Sequence, residues 1–268
     1  ENKFITKAPE DKPIENQIIE SEVFSTHTPD VKIPILYVRK KINDGGAGGF
    51  YAGMKLAYDR GADWLWMMDD DGIPVENQLE ELVKGAKRYD LSYLNALVTD
   101  IENSNQLAFS LGKYKSTQEA KKDEVIQNLM NPFNGTLIAR GLIDKIGFIK
   151  KEMFIWGDET EYTNRVRKNG FKIGTITAAL HRHPLMRGEF IYVIPILKKG
   201  KIIIKPAHFS HFYYRNLGYN QKNYAHAKAT NVLYVLYIMY FVTRFKFKEL
   251  KKFSLFYKDG IANKFDRK

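Results

Sequence analysis

Three consecutive carboxylates, Asp69-Asp70-Asp71, are the residues here most suited to chemistry. Adjacent carboxylates repel one another unless a cation sits among them. A divalent ion such as Mg²⁺ or Mn²⁺ takes oxygen ligands and bridges to a diphosphate. It then neutralises the charge that develops on a departing nucleoside diphosphate. The bland alternative is a solvated acidic turn. Against it stands the apolar run Trp64-Leu65-Trp66-Met67-Met68, which leads directly into the triplet and sets where it points. Ahead of both, Asn43 to Phe50 holds four glycines and an alanine before a helix. Glycine permits close backbone approach, and a helix N-terminus attracts phosphate. Gly46, Gly48 and Gly49 are therefore candidate phosphate contacts, with a flexible turn as the alternative. No Gly-Lys-Ser/Thr follows, so this is not a Walker loop.

A second acidic group lies in Trp156-Gly157-Asp158-Glu159-Thr160-Glu161-Tyr162. Asp158 and Glu159 open a helix, where carboxylates cap and suit the dipole. One of them could instead face a cleft as general base for an acceptor hydroxyl. Glu161 and Arg165, spaced i, i+4, suit a surface ion pair. His181 and His183 stand near a strand end and are candidate metal ligands. The chain has no cysteine, which excludes disulfides and thiolate ligands. Any metal must then use carboxylate, imidazole or water.

These groups need a scaffold. Ile33 to Val38 reads as a strand, and a helix with Phe50, Met54, Ala57 and Tyr58 on one face follows. Trp64 to Met68, without alternation, fits a strand buried on both faces. A helix carrying Leu79, Leu82, Val83 and Ala86 comes next, then a strand over Leu91 to Val98. Strand and helix alternate in this way in a parallel α/β sheet, whose ligands bind at the carboxyl ends of the strands. Phe133 to Ala139 and Phe171 to Thr177 read as further strands, and Asp158 to Lys168 as a helix ended by Asn169-Gly170. Residues 1–30 are polar, contain three prolines and have no clear pattern. The expected division is a catalytic domain over 1–210 and a basic, aromatic helical extension over 211–268.

With this order assembled, the chain resembles the family-two inverting glycosyltransferases of the GT-A fold. The resemblance rests on Asn43…Gly45-Gly46-Ala47-Gly48-Gly49-Phe50, then Gly61-Ala62-Asp63-Trp64…Asp69-Asp70-Asp71…Pro74. It continues through Phe133-Asn134-Gly135-Thr136, Ile146-Gly147-Phe148, Trp156 to Tyr162, Arg165, Gly170 and histidine. It covers roughly residues 33 to 185 and is nearest to the bacterial galactofuranosyltransferase and rhamnosyltransferase branch. It implies a Rossmann-like, mostly parallel central sheet flanked by helices. It implies Asp71 as a ligand of Mn²⁺ or Mg²⁺, Asp69 near the ribose or the ion, and Asp70 beside the nucleotide-sugar. His183, with His181 as the alternative, would complete the metal site. Glu159 matches the base, in a slot where aspartate is usual, with Asp158 as the alternative. Trp156 would wall the acceptor site. The family's opening strand, ending in Thr-Tyr-Asn-Arg, has no counterpart before Ile33, so that element is missing or atypical.

The expected activity is transfer of galactofuranose from its uridine diphosphate donor, or of rhamnose from a thymidine diphosphate donor. The acceptor is a saccharide or a lipid-linked saccharide, in the synthesis of a cell-surface polysaccharide. A net charge of +11 favours anionic partners. A nucleic-acid-binding protein is the competing class, but no recognition motif for one is present, and none is expected as a partner. A catalytically inactive transferase-like subunit is a third reading. The longest apolar run, Val232 to Val242, falls short of the ~20 residues of a membrane span. No leader is evident at the polar start. The expected location is cytoplasmic, with the basic, aromatic tail resting on the inner face of the plasma membrane.

Overall fold

The structure is a computed structural model that describes residues 17–24, 32–185, 190–225 and 227–267. It divides into two compact units, Glu1–Asp44 and Gly45–Lys268. The first holds two strands, β1 (Gln17–Phe24) and β2 (Lys32–Arg39), paired antiparallel in a sheet of their own. Ile33 to Val38 is thus a strand as expected, but its described partner is the hairpin strand before it. Pairing across a short connection needs little loop closure.

The second unit runs α1 (Gly45–Asp59), β3 (Trp64–Met67), β4 (Ile73–Pro74), α2 (Gln78–Tyr89), β5 (Tyr93–Asp100), α3 (Thr117–Ala120), β6 (Val125–Gln127), β7 (Thr136–Ala139), α4 (Arg140–Ile146), α5 (Asp158–Lys168) and β8 (Ile173–His183). A hairpin follows, β9 (Phe190–Ile194) with β10 (Lys199–Ile203), then α6 (Ser210–Tyr224), α7 (Ala227–Thr243) and α8 (Phe247–Ile261). The boundary expected between 210 and 211 falls inside this unit.

The central sheet has the order β3-β7-β5-β8-β4, with β6 also on β8. The α/β class is as expected, but the pairing is mixed rather than mostly parallel. β5 and β8 are parallel, whereas β7 lies antiparallel to both β3 and β5. β3, β5 and β8 therefore run in one direction and end at one edge of the sheet. β3 is also an outer strand, with Leu65 and Met67 buried and Trp64 exposed, so it is not covered on both faces. β5 is buried along its whole length, between helices on either side. Tyr93 and Ile138 face a core with Met54 of α1, Leu142 of α4 and Tyr162 of α5. Their neighbours Leu94 and Leu137 face Leu82 and Ala86 of α2. This alternation is the period of two expected of a strand.

α6, α7 and α8 form a separate aromatic core around Tyr214, Tyr237, Phe241 and Phe253. α6 and α8 cross closely. A Cβ at Gly218 would lie 2.1 Å from the Tyr257 carbonyl oxygen, and one at Gly260 would lie 1.9 Å from that of Arg215.

Candidate active site

The shared direction of β3 and β8 brings their carboxyl ends together, as open α/β sheets do for ligands. Asp69 to Asp71 follow β3, and His183 ends β8. Asp69, Asp71 and His183 each offer a ligand atom, all within 4.8 Å of one another. His183 Nε2 lies 3.1 Å from Asp71 Oδ1. His183 Nδ1 lies 2.7 Å from the Pro184 carbonyl oxygen. A proton held on Nδ1 by that carbonyl leaves Nε2 with its lone pair toward the aspartates. Burial, then the charge of Asp71, raises the Asp69 carboxyl to about 6. Carboxylate oxygens and one imidazole are a donor set that fits Mn²⁺ or Mg²⁺.

His181 is not in this cluster. It is fully buried, with Nδ1 3.2 Å from Gln78 Oε1. Its Nε2 faces the backbone of Gly72, where a Cβ would come within 2.1 Å. Burial lowers its pKa to about 4, so it stays neutral. Alternation along β8 would put both histidines on one face. What separates them is their neighbours, which sequence spacing does not report.

Asp158 and Glu159 open α5 beside the aspartates. Burial, followed by the charge and hydrogen bond of Glu159, pushes the Asp158 carboxyl well above the carboxylate range. Asp158 thus retains its proton near neutrality. Glu159 Oε2 accepts the Gly157 N–H at 3.0 Å. The segment before α5 is held in an unusual shape, with φ of 66° at Phe154, 60° at Trp156 and 113° at Gly157. Such backbone persists only where its surroundings impose it. Here α6 does so. Asn216 Nδ2 donates toward the carbonyls of Met153, Ile155 and Trp156 at 2.8–3.0 Å, and Asn220 Nδ2 donates to that of Gly157 at 3.0 Å. The Ala47 N–H of α1 holds the Phe154 carbonyl at 3.0 Å. Gly45 packs on that carbonyl too closely for any Cβ. Glu161 and Arg165 do pair, but not as a surface bridge. Glu161 is 2% exposed, contacts Arg165 Nη2 at 2.8 Å and accepts the Tyr224 hydroxyl at 2.7 Å.

Three cavities join here through shared walls. One of about 400 Å³ holds Asp69, Asp71, Asn134, Trp156, Glu159 and His183. A second of about 580 Å³ lies between α1 and β3 and shares Gly46, Phe50, Asp69 and Asp70 with it. A third of about 420 Å³ shares Trp156 and Glu159 and is otherwise built by Lys205, Tyr213, Asn220 and Tyr224, among others. Asn134 Oδ1 is buried without a protein partner and belongs to the wall of the first cavity. Lys205 Nζ sits 4.6 Å from the Trp156 ring centre. Sequence reasoning missed Lys205, Tyr213, Asn216 and Asn220, since they lie far along the chain and carry no motif. The i, i+4 spacing of the two asparagines was the one available signal.

The glycine string is the first turn of α1 rather than a loop. Gly48 is buried and lines none of the cavities described here. Gly46 and Gly49 line the second cavity, and a Cβ on either would meet nothing within 4 Å beyond its chain neighbours and the backbone of its own helix. No packing in the described structure requires glycine there, which suits a ligand that approaches the backbone. Gly49→Val should leave thermal stability within about 1 kcal/mol, the helix cost of glycine offsetting that of a β-branched residue. It should weaken nucleotide-sugar binding at least tenfold by calorimetry. Unchanged binding would remove Gly49 from the donor site.

Residues 26–147 match the glycosyl transferase family 2 model. Galactofuranosyltransferase GlfT1 of Mycobacterium tuberculosis is 32% identical over 195 residues, which are 70% of this chain and 64% of that protein. GlfT1 of Mycolicibacterium smegmatis is 32% identical over 169 residues, 59% of this chain and 56% of that one. The chain thus spans less than two thirds of these relatives. Among solved structures, that of GalNAc-T7 with UDP, GalNAc and Mn²⁺ aligns over 55% of this chain and 31% of its own, at 15% identity and a TM-score of 0.39. The match over 26–147 and the identity to both relatives make this chain similar to the family 2 glycosyltransferases over that stretch.

Proposed function

We propose that this chain is the catalytic part of an inverting, metal-dependent galactofuranosyltransferase with UDP-galactofuranose as donor. The observation that carries this reading is the single cavity shared by the Asp69, Asp71 and His183 cluster and the Trp156–Glu159 pair. Asp69, Asp71 and His183 would hold Mn²⁺ or Mg²⁺, which supplies charge neutralisation at the diphosphate. Asp70, Gly46 and Gly49 would contact the nucleotide-sugar along the α1 cavity. The acceptor, a saccharide or lipid-linked saccharide, would enter beside Trp156, Tyr213 and Tyr224. Glu159 takes the proton of the acceptor hydroxyl. The freed oxygen bonds to the anomeric carbon while the bond to the diphosphate breaks on the opposite face, so the configuration inverts. Protonated Asp158 steadies the pair; it would be the base only if Glu159 held that proton in its place. The donor choice is supported by both relatives being galactofuranosyltransferases.

A panel of sugar nucleotides with Mn²⁺ or Mg²⁺, read as released nucleoside diphosphate, tests this. UDP release from UDP-galactofuranose, dependent on the ion and stimulated by a galactan acceptor, is the expected result. Release from dTDP-rhamnose alone would change the donor, and release from none would overturn the activity.

A further inference from the structure

The net charge of this chain is concentrated in one segment. Residues 190–258 contain 13 lysines and arginines and one acidic residue, Glu249, while the rest of the chain holds 29 basic and 30 acidic residues. The same segment exposes apolar side chains. α7 packs Leu233, Tyr237 and Phe241 on the aromatic core. On its other side Val232, Val235, Met239 and Val242 are exposed, at the spacing of one helix face. Phe245, beyond the helix end, is 81% exposed. The turn between β9 and β10 adds Ile196, 94% exposed, and Leu197, followed at once by Lys198 and Lys199. Gly200 abuts Leu236, where a Cβ would come within 2.8 Å of its Cδ2, so this hairpin lies beside α7. Arg244 and Lys246 flank the end of α7, and α7 itself contains no acidic residue.

We propose that the outer face of α7 and the tip of the β9–β10 hairpin form a docking surface for an anionic lipid membrane. An apolar helix face rimmed by lysine and arginine seats its side chains among acyl chains and its cations on headgroup phosphates. Among the described residues no helix is long and apolar enough to cross a membrane, so α7 lies in the interface. A second copy of this chain is a poor occupant, because two strongly basic segments would face each other. A nucleic acid would engage the lysines but leave the apolar face in water. The surface is consistent with a lipid-linked acceptor, but the docking stands on these residues alone.

Flotation of the whole chain with vesicles tests it without any sugar substrate. At about 0.15 M salt the protein should float with phosphatidylcholine vesicles containing phosphatidylglycerol and stay behind with phosphatidylcholine alone. Val235→Asp with Met239→Asp should weaken flotation at least tenfold, and Lys198→Glu with Lys199→Glu several-fold. Neither pair touches the cavities, so circular dichroism and nucleoside diphosphate release with a soluble acceptor should match the parent. Equal binding to both vesicle types, or variants that float like the parent, would overturn the proposal. So would no flotation, with or without self-association lost in Val235→Asp/Met239→Asp. Loss of transfer with flotation intact would count only against the enzymatic reading.

Discussion

Asp71→Ala should abolish Mn²⁺- or Mg²⁺-dependent transfer, lowering it by roughly 10³-fold or more, while the fold survives. An ion that stabilises a departing diphosphate supplies several kcal/mol, and each ~1.4 kcal/mol is about tenfold in rate. The side chain of Asp71 is 55% exposed and lies by His183 and Asp69. Its removal creates no cavity, so the stability of the metal-free protein should change by less than about 0.5 kcal/mol. It also removes a like charge that raises the Asp69 carboxyl, which should move back toward the ordinary range. Melting with and without Mn²⁺ separates metal binding from activity. An ion at about 100 times its dissociation constant adds about 2.7 kcal/mol, and this gain should vanish in Asp71→Ala. His183→Ala should behave in the same way, and His181→Ala should not. The His181 variant should lose stability by emptying a packed position, yet keep its melting response to Mn²⁺. A full response in Asp71→Ala would remove the metal role proposed for this cluster.

Glu159→Gln should lower the transfer rate by about 10²- to 10⁴-fold, the usual span for loss of a general base, with donor binding unchanged. Asp158→Asn should cost less, because Asp158 already carries its proton near neutrality. The two variants therefore rank the pair: a larger loss at Asp158 would transfer the base to it. Asp158 also gives a stability test whose sign is determined. Its folded pKa lies above the ordinary value of 3.8, so the folded state binds the proton more tightly than the unfolded chain. Stability from this group is complete below about 3.8 and is lost as pH rises toward the folded value. In metal-free buffer the parent should lose melting temperature between pH 6 and pH 9, by about one to a few degrees per kcal/mol lost. Asp158→Asn should lack that part of the slope. Identical slopes would show that Asp158 ionises normally.

Order and kind were legible in the chain. The apolar run before three aspartates, the glycines before a helix and the acidic pair opening another helix are local patterns, and local patterns survive folding. They located β3, α1 and α5 and carried the resemblance to the family 2 glycosyltransferases. Partner choice was not legible. Ile33 to Val38 is apolar enough for a strand in any sheet, and its pairing with Gln17–Phe24 depends on a neighbour, not on its own residues. Likewise β7 enters antiparallel between β3 and β5, which makes the sheet mixed and still leaves β3 and β8 ending at one edge. Tertiary structure also separated two histidines of the same type two residues apart: His183 meets Asp69 and Asp71, whereas His181 is closed in by Gln78 and Gly72. It turned the tail from an extension into part of the site, since Asn216 and Asn220 hold the Trp156 segment from about 60 residues away. The sequence by itself determined that Asp69 to Asp71 follow an apolar strand and that an acidic pair opens a later helix. Only the packing of distant elements decided which of these side chains share one cavity, because that depends on the direction and burial of strands far apart in the chain.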